Sequence, residues 1–184
     1  ISIQQNYVVV QVESQLAAGV HVVTLSGVTF GAATAGSPTG ITVSTSKDFA
    51  SAGAPSGSLG GQVTGVSMTI AAADRVPLAS GKSVTFAFTI TTALSYGDQI
   101  SLTYPWNFIS SSGPWPSVMG STPSFSVQSS SGNVVSVRVD GSLAAGAHVL
   151  TLSGVTFGPA TTGSPTGISV STTKDMMSVG VPSG

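Results

Sequence analysis

The run TLSGVTFGPATTGSPTGISVSTTKD occupies Thr151–Asp175, and nearly the same words, TLSGVTFGAATAGSPTGITVSTSKD, occupy Thr24–Asp48. Internal repetition of this kind constrains topology more than any local signal does, because both copies carry the same instructions for folding. Aligning Leu16 with Leu143 holds a constant offset of about 127 residues down to Gly57 and Gly184, at roughly three-quarters identity. Upstream, NYVVVQVE (Asn6–Glu13) falls on NVVSVRVD (Asn133–Asp140). ISIQQ at the start falls on FSVQS (Phe125–Ser129), once the turn SSG (Ser130–Gly132) is set aside as an insertion. Residues 58–124 have no counterpart.

The period is too long for a solenoid, whose repeats run to about 20–50 residues. It suits a β-sandwich domain of about 100 residues or somewhat more. The expected organisation is one complete repeat over 58–184, preceded by the C-terminal half of another over 1–57. ASAGAPSGSLGG (Ala50–Gly61), small and interrupted by proline, reads as the flexible linker. With Ile and not Met at position 1, the expectation is a processed chain or one cut from something longer.

Helix signals are nearly missing, while period-two alternation is plain. In SVTFAFTITTAL, Val84, Phe86, Phe88, Ile90 and Leu94 share one face and Thr85, Ala87, Thr89 and Thr91 the other, the mark of a half-buried antiparallel strand. The same pattern marks Val66/Met68/Ile70, Ile100/Leu102/Tyr104, Val135/Val137/Val139 and Ile168/Val170. In HVLTLSGVTF the apolar phase slips by one at Ser153–Gly154, which points to a bulge or to a strand crossing between sheets. Strands are expected near 63–71, 83–94, 99–105, 124–129, 133–140, 146–152, 154–158 and 167–173, an all-β antiparallel arrangement.

The half-repeat 1–57 keeps counterparts of only the last five strands. Val8, Val10, Val12, Leu25 and Val43 would then face a core whose other wall is missing. Full burial of each such side chain is worth about 1.5–3 kcal/mol, so leaving several wet removes most of a domain's margin. The expected partners are strands of further copies of the chain, or upstream sequence of the same kind.

VTFAFTITTALSYGDQISLTYPWNF followed by LAAGAHVLTLSGVTF resembles the immunoglobulin-like β-sandwich repeats of secreted surface proteins, adhesins and filament subunits. No Cys…Trp…Cys signature accompanies it. The resemblance implies a structural role in an extracellular filament, surface layer or stalk. A carbohydrate-binding or adhesive tandem module is the alternative.

Composition fits an exported structural chain. Only 6% of residues are charged, against about 25% in an average soluble protein, yet 41% are hydrophobic and mean hydropathy is +0.41. Hydroxyls, not charges, must keep the surface wet. A net charge of −1 and a pI near 6.0 provide no footprint for nucleic acid or anionic lipid. No apolar run approaches the roughly 20 residues of a membrane-spanning helix. Cysteine is absent, which excludes disulfides and thiolate chemistry.

Little remains for catalysis. His21 and His148 occupy one place in the two copies, each in phase with Leu or Val, with no nucleophile elbow or carboxylate alongside. They read as strand-end side chains. Asp74, Asp98, Asp140 and Asp175 are isolated, with no metal-ligand spacing, so no metal or cofactor is expected. The pairs Lys47–Asp48 and Lys174–Asp175 read as solvated strand ends. Tyr104, Trp106 and Trp115 lie in a proline-stiffened stretch and are candidates for a subunit interface or a sugar-stacking loop, or else for a plug at one end of the core. Ser37, Thr39, Thr161, Thr162, Ser164 and Thr166, in and around the paired GSPTG loops, are candidate O-glycan carriers. No Asn-x-Ser/Thr sequon exists.

Overall fold

A computed structural model describes residues 1–4, 6–110, 116–120 and 123–184, of which Ile3 and Gln4 are described by their backbone alone. The described chain is nearly all β, with no α-helix and a single 3-10 turn at Ala72–Asp74. It divides into two compact units, Ile1–Phe30 and Gly31–Gly184. Residues 31–57, which by sequence belong with the first copy, therefore sit in the second unit.

The strands in chain order are β1 (Ser2–Gln4), β2 (Tyr7–Val9), β3 (Gly61–Gln62), β4 (Thr64–Thr69), β5 (Lys82–Ile90), β6 (Gln99–Thr103), β7 (Ser117–Gly120), β8 (Phe125–Ser131), β9 (Val134–Val139), β10 (Gly146–Val155), β11 (Ser169–Thr172) and β12 (Asp175–Met176). In the second unit two four-stranded antiparallel sheets form, ordered β4-β5-β10-β7 and β11-β6-β9-β8. β12 and β3 make a short parallel pair.

The alternation in β5 translates directly into burial. Val84, Phe86, Phe88 and Ile90 are buried while the residues between them stay half-exposed. Across the ladder Val84 stands opposite Leu152, and Phe86 opposite Leu150. In the second sheet Ile100 and Leu102 of β6 face Val137 and Val135 of β9, all fully buried. Both sheets feed one apolar cluster, closed by Tyr104, Leu94, Leu143, Phe157 and Ile168.

Sheet order sets the dependence of one half on the other. β5 lies between β4 and β10, and β6 lies between β11 and β9. β5 and β6, both encoded by residues 58–124, are thus inner strands against which β10, β11 and β9 of 125–184 are laid. In the C-terminal half the β8–β9 hairpin and the ribbon that joins Ile168 to Val181 pair locally, whereas β10, β11 and β12 reach back along the chain for their partners.

β10 runs unbroken through the expected division at Ser153–Gly154. Its register shifts there against β5, between Ser153 and Val155, so the phase slip is a bulge within one strand. Gly154 takes φ +80, a left-handed backbone that side chains with a Cβ rarely adopt. β7, at the edge beside β10, was not anticipated: SVMG is short, with no alternation long enough to read.

The stretch 50–61 is not a free linker. Ala54 exchanges both backbone bonds with Ile41, the Ser56 amide donates to the Ser37 carbonyl, and Leu59 exchanges both bonds with Thr34. Small residues here serve a closely bonded ribbon, which flexibility alone would not have required.

Candidate functional site

The two copies differ most in one strand. Gly146–Val155 (GAHVLTLSGV) is a ten-residue strand bonded on both sides, to β5 and to β7. Gly19–Val28 (GVHVVTLSGV) is nearly the same string and forms no strand. Leu152 is fully buried, whereas its counterpart Leu25 is 43% exposed. Composition and propensity are matched between the copies, so the difference comes from the partner: no β5 is offered to the first copy. A strand's backbone groups need a neighbour, and β10 obtains its own from distant residues, β5 on one side and β7 on the other.

The β8–β9 hairpin behaves differently. Its counterpart in the first copy survives as β1–β2, with Ser2 opposite Val9 and Gln4 opposite Tyr7. A hairpin's partner is next to it in sequence, so it needs no second half. Local bonds survive in the same way. The His21 Nε2 donates to the Ala17 carbonyl at 2.7 Å, as His148 does to Ala144 at 2.8 Å. The Val43 amide donates to the Ser51 hydroxyl at 3.1 Å, as Val170 does to Ser178 at 3.1 Å.

Of the residues expected to lack a wall, Val8, Val10 and Val12 are 40%, 43% and 56% exposed. In the second unit, Val43 is 67% exposed where its counterpart Val170 is fully buried.

The most informative side chain is one that the sequence pattern left among the solvated strand ends. Asp175 is not solvated; it is 1% exposed. Its carboxylate accepts from the Thr91 amide and hydroxyl at 2.9 Å each, from the Thr92 amide at 3.1 Å and from the Gly61 amide at 3.2 Å. Gly61 can approach this closely only without a side chain, since a Cβ there would collide with the Thr91 hydroxyl. Burial alone would push the Asp175 carboxyl up, but the hydrogen bonds from Thr92 and Thr91 hold it below the usual carboxylate range. Lys174 adds an ion pair to Asp98 at 2.9 Å and donates to the Ala93 carbonyl. Burial likewise opposes ionisation of Asp98, and bonds from the Ser95 amide, Lys174 and Thr173 outweigh it.

Lys174–Asp175 is thus a clamp that ties the C-terminal strands to residues 61 and 91–98. In the first copy Asp48 makes only local bonds: the Thr45 hydroxyl donates to its carboxylate at 2.8 Å, and its amide donates back to Thr45 at 2.9 Å. Asp48 and Lys47 are exposed. The recurrence of Lys-Asp in both copies was the available signal. What it lacked was any sign that its donors lie at Thr91 and Gly61.

The aromatic candidates separate. Tyr104 is 1% exposed; burial pushes its phenol up while a hydrogen bond with Ser130 pulls the other way. It continues the Ile100/Leu102 phase into the core. Trp106 is 69% exposed and its ring lies against Gly132 in the β8–β9 turn. Trp115 lies outside the described residues. Among the glycan candidates, Thr39, Thr161, Thr162 and Thr166 are exposed, and Ser37 and Ser164 are half-buried.

Two clefts flank Gly158–Pro159. One, of about 170 Å³, includes Ile70, Arg75, Val76, Phe157 and Thr161; the other, of about 180 Å³, includes Trp106, Asn107 and Gly132. Neither contains a histidine, and neither His21 nor His148 bonds to a hydroxyl or carboxylate among the described residues. Among the described residues no three His, Cys, Asp or Glu side chains gather as metal ligands, and no helix is long and apolar enough to cross a membrane. Comparison with protein-family models, curated proteins and solved structures finds no match.

Proposed function

We propose that this chain is a structural subunit or segment of an extracellular filament, surface layer or stalk, built from immunoglobulin-like sandwich repeats. The observation that carries the reading is the contrast between Gly146–Val155, an inner strand, and Gly19–Val28, the same words with no strand partner. A half-repeat that presents strand-forming, apolar sequence and a vacant Asp48 clamp is completed by strands of the β4–β6 kind from a further copy of the repeat. Contacts of this head-to-tail type grow a linear assembly when their rotation does not close a ring. A hydroxyl-rich, charge-poor composition supports a place outside the cell, with the exposed threonines of the GSPTG loops as O-glycan carriers.

The test has two arms. Electron microscopy of native material, labelled with antibody against 58–184, is expected to show regularly spaced decoration along a linear or sheet-like assembly. In the second arm, a copy of 58–124 is fused ahead of Ile1, and a second cooperative unfolding transition is expected. Monodisperse single particles in the first arm, together with an unchanged single transition in the second, would sink the reading.

Exposure of Trp106 supports a second reading, an adhesive module that stacks a sugar ring on this tryptophan. Binding on a glycan array that disappears in Trp106→Ala, with unchanged thermal unfolding, is its expected signature; no binding to any glycan by the parent chain rejects it.

A further inference from the structure

The chain contains one junction between copies, and the bonds that make it can be followed to the equivalent place in the next copy. In the first copy the ribbon closes stepwise: Ile41 with Ala54, Ser37 with Ser56, and finally Thr34 with Leu59, whose amides and carbonyls exchange bonds of 3.0 and 2.9 Å. Gly60 then lies against Ala33 and the Lys174 carbonyl. In the second copy the same steps recur, with Ile168 paired to Val181 and the Ser183 amide donating to the Ser164 carbonyl at 2.9 Å. Even the side-chain bond matches, from the Ser37 amide to Ser56 Oγ and from the Ser164 amide to Ser183 Oγ, both at 2.9 Å.

The last step is missing. Thr161 stands where Thr34 stands, and its backbone groups bond to no described residue. Ala160 is exposed where Ala33 is half-buried. The cleft lined by Ile70, Val76, Phe157 and Ala160 opens beside this edge and offers an apolar wall to a leucine.

The two ends of the repeat also lie at opposite poles. Gly61 leads in beside Thr91 and Asp175, and β3 runs parallel to β12. The chain leaves where Arg75 donates to the Ser183 carbonyl, beyond the far end of β4. The six residues of β4 alone separate these poles by about 20 Å at about 3.3 Å each.

We infer that the Gly158–Thr161 edge is a joint able to receive the Ser-Leu-Gly-Gly lead-in of a further repeat, so that repeats joined in one polypeptide string end to end. The inference rests on the tandem-repeat part of the reading above and not on complementation of 1–57. A separate copy of this chain is the poorer occupant, because its own Leu59 is already held by its own Thr34. Only Ser58 and Leu59 separate the ribbon residue Gly57 from Gly60, so the joint is short and the resulting rod is stiff.

The test extends the full chain after Gly184 with a second copy of residues 58–184. Thr161→Cys is combined with cysteine at the leucine of the appended copy that matches Leu59. Thr34→Cys with Leu59→Cys in the parent chain is the control, since bonded antiparallel neighbours lie within disulfide reach. Oxidation is expected to close both pairs within one chain, and small-angle scattering to show a maximum dimension longer by about one repeat. Closure of the control with no closure of the Thr161 pair overturns the joint. So does cross-linking between chains that rises with concentration, or an unchanged maximum dimension. If the appended copy perturbs the fold, amide exchange decides: slowed exchange at Thr161 relative to the parent supports the joint, and unchanged exchange overturns it. Failure of the fusion ahead of Ile1 leaves these readouts unaffected, so the two proposals fail separately.

Discussion

The Asp175 carboxylate takes both the amide and the hydroxyl of Thr91, at 2.9 Å each, across a sequence separation of 84 residues. It thereby ties the end of the C-terminal half to the end of β5, where the most apolar strand of the chain turns away. Asp48, at the equivalent place, has only Thr45.

Asp175→Asn is expected to destabilise the second unit by about 1.5–3 kcal/mol, the range for hydrogen bonds to a charged acceptor. The pH dependence follows from the lowered carboxyl. Its unfolded value is near 3.9, so the stabilisation is fully present above that and is lost as pH falls through the folded value. Asp98 acts in the same direction. Urea midpoints are expected to be flat above about pH 5 and to fall below about pH 4, with a shallower acid limb in Asp175→Asn. An identical acid limb in the variant would count against the clamp.

The two leucines of the repeat make a paired experiment. Leu152→Ala empties a fully buried site and is expected to cost about 2–5 kcal/mol. Leu25→Ala, the same change in the same words, is expected to stay within about 0.5 kcal/mol, because Leu25 has no core to leave. Chemical denaturation of the full chain measures both.

Amide exchange should separate the copies residue by residue. Amides of Leu150–Ser153 lie within a three-strand ladder and are expected to exchange only on global opening of the second unit. Amides of Val22–Ser26 are expected to exchange close to the unfolded rate. Equal protection would mean that the first copy has found a partner strand.

At the bulge, Gly154→Ala is expected to cost about 1–2 kcal/mol, although no atom crowds the site, because φ +80 is a left-handed backbone for any residue with a Cβ. Gly27 has the same hand, φ +70, yet Gly27→Ala is expected to leave the unfolding midpoint of the second unit unchanged. Thermal and urea unfolding check both variants.

Much of the core was legible in the amino-acid sequence. Val84, Phe86, Phe88 and Ile90 alternate along the chain and are buried in turn. The slip at Ser153–Gly154 is a true bulge, though inside one strand where two were expected. Tyr104 continues an alternating phase and is buried, a signal partly hidden by the prolines and tryptophans that follow it. β7 was illegible because a four-residue edge strand is too short to show a period. Asp175 was illegible for a deeper reason: nothing in Lys-Asp says which distant amides will be its donors.

The amino-acid sequence by itself determined what depends on near neighbours: the alternation of each strand, the hairpin β1–β2, the ribbon turns repeated in both copies, and the left-handed glycines. Tertiary structure decided whether those strands exist at all. Gly146–Val155 and Gly19–Val28 read almost alike, yet only the former is a strand, because a β ladder is bonded to whatever lies beside it in space. β5 lies beside only one of them.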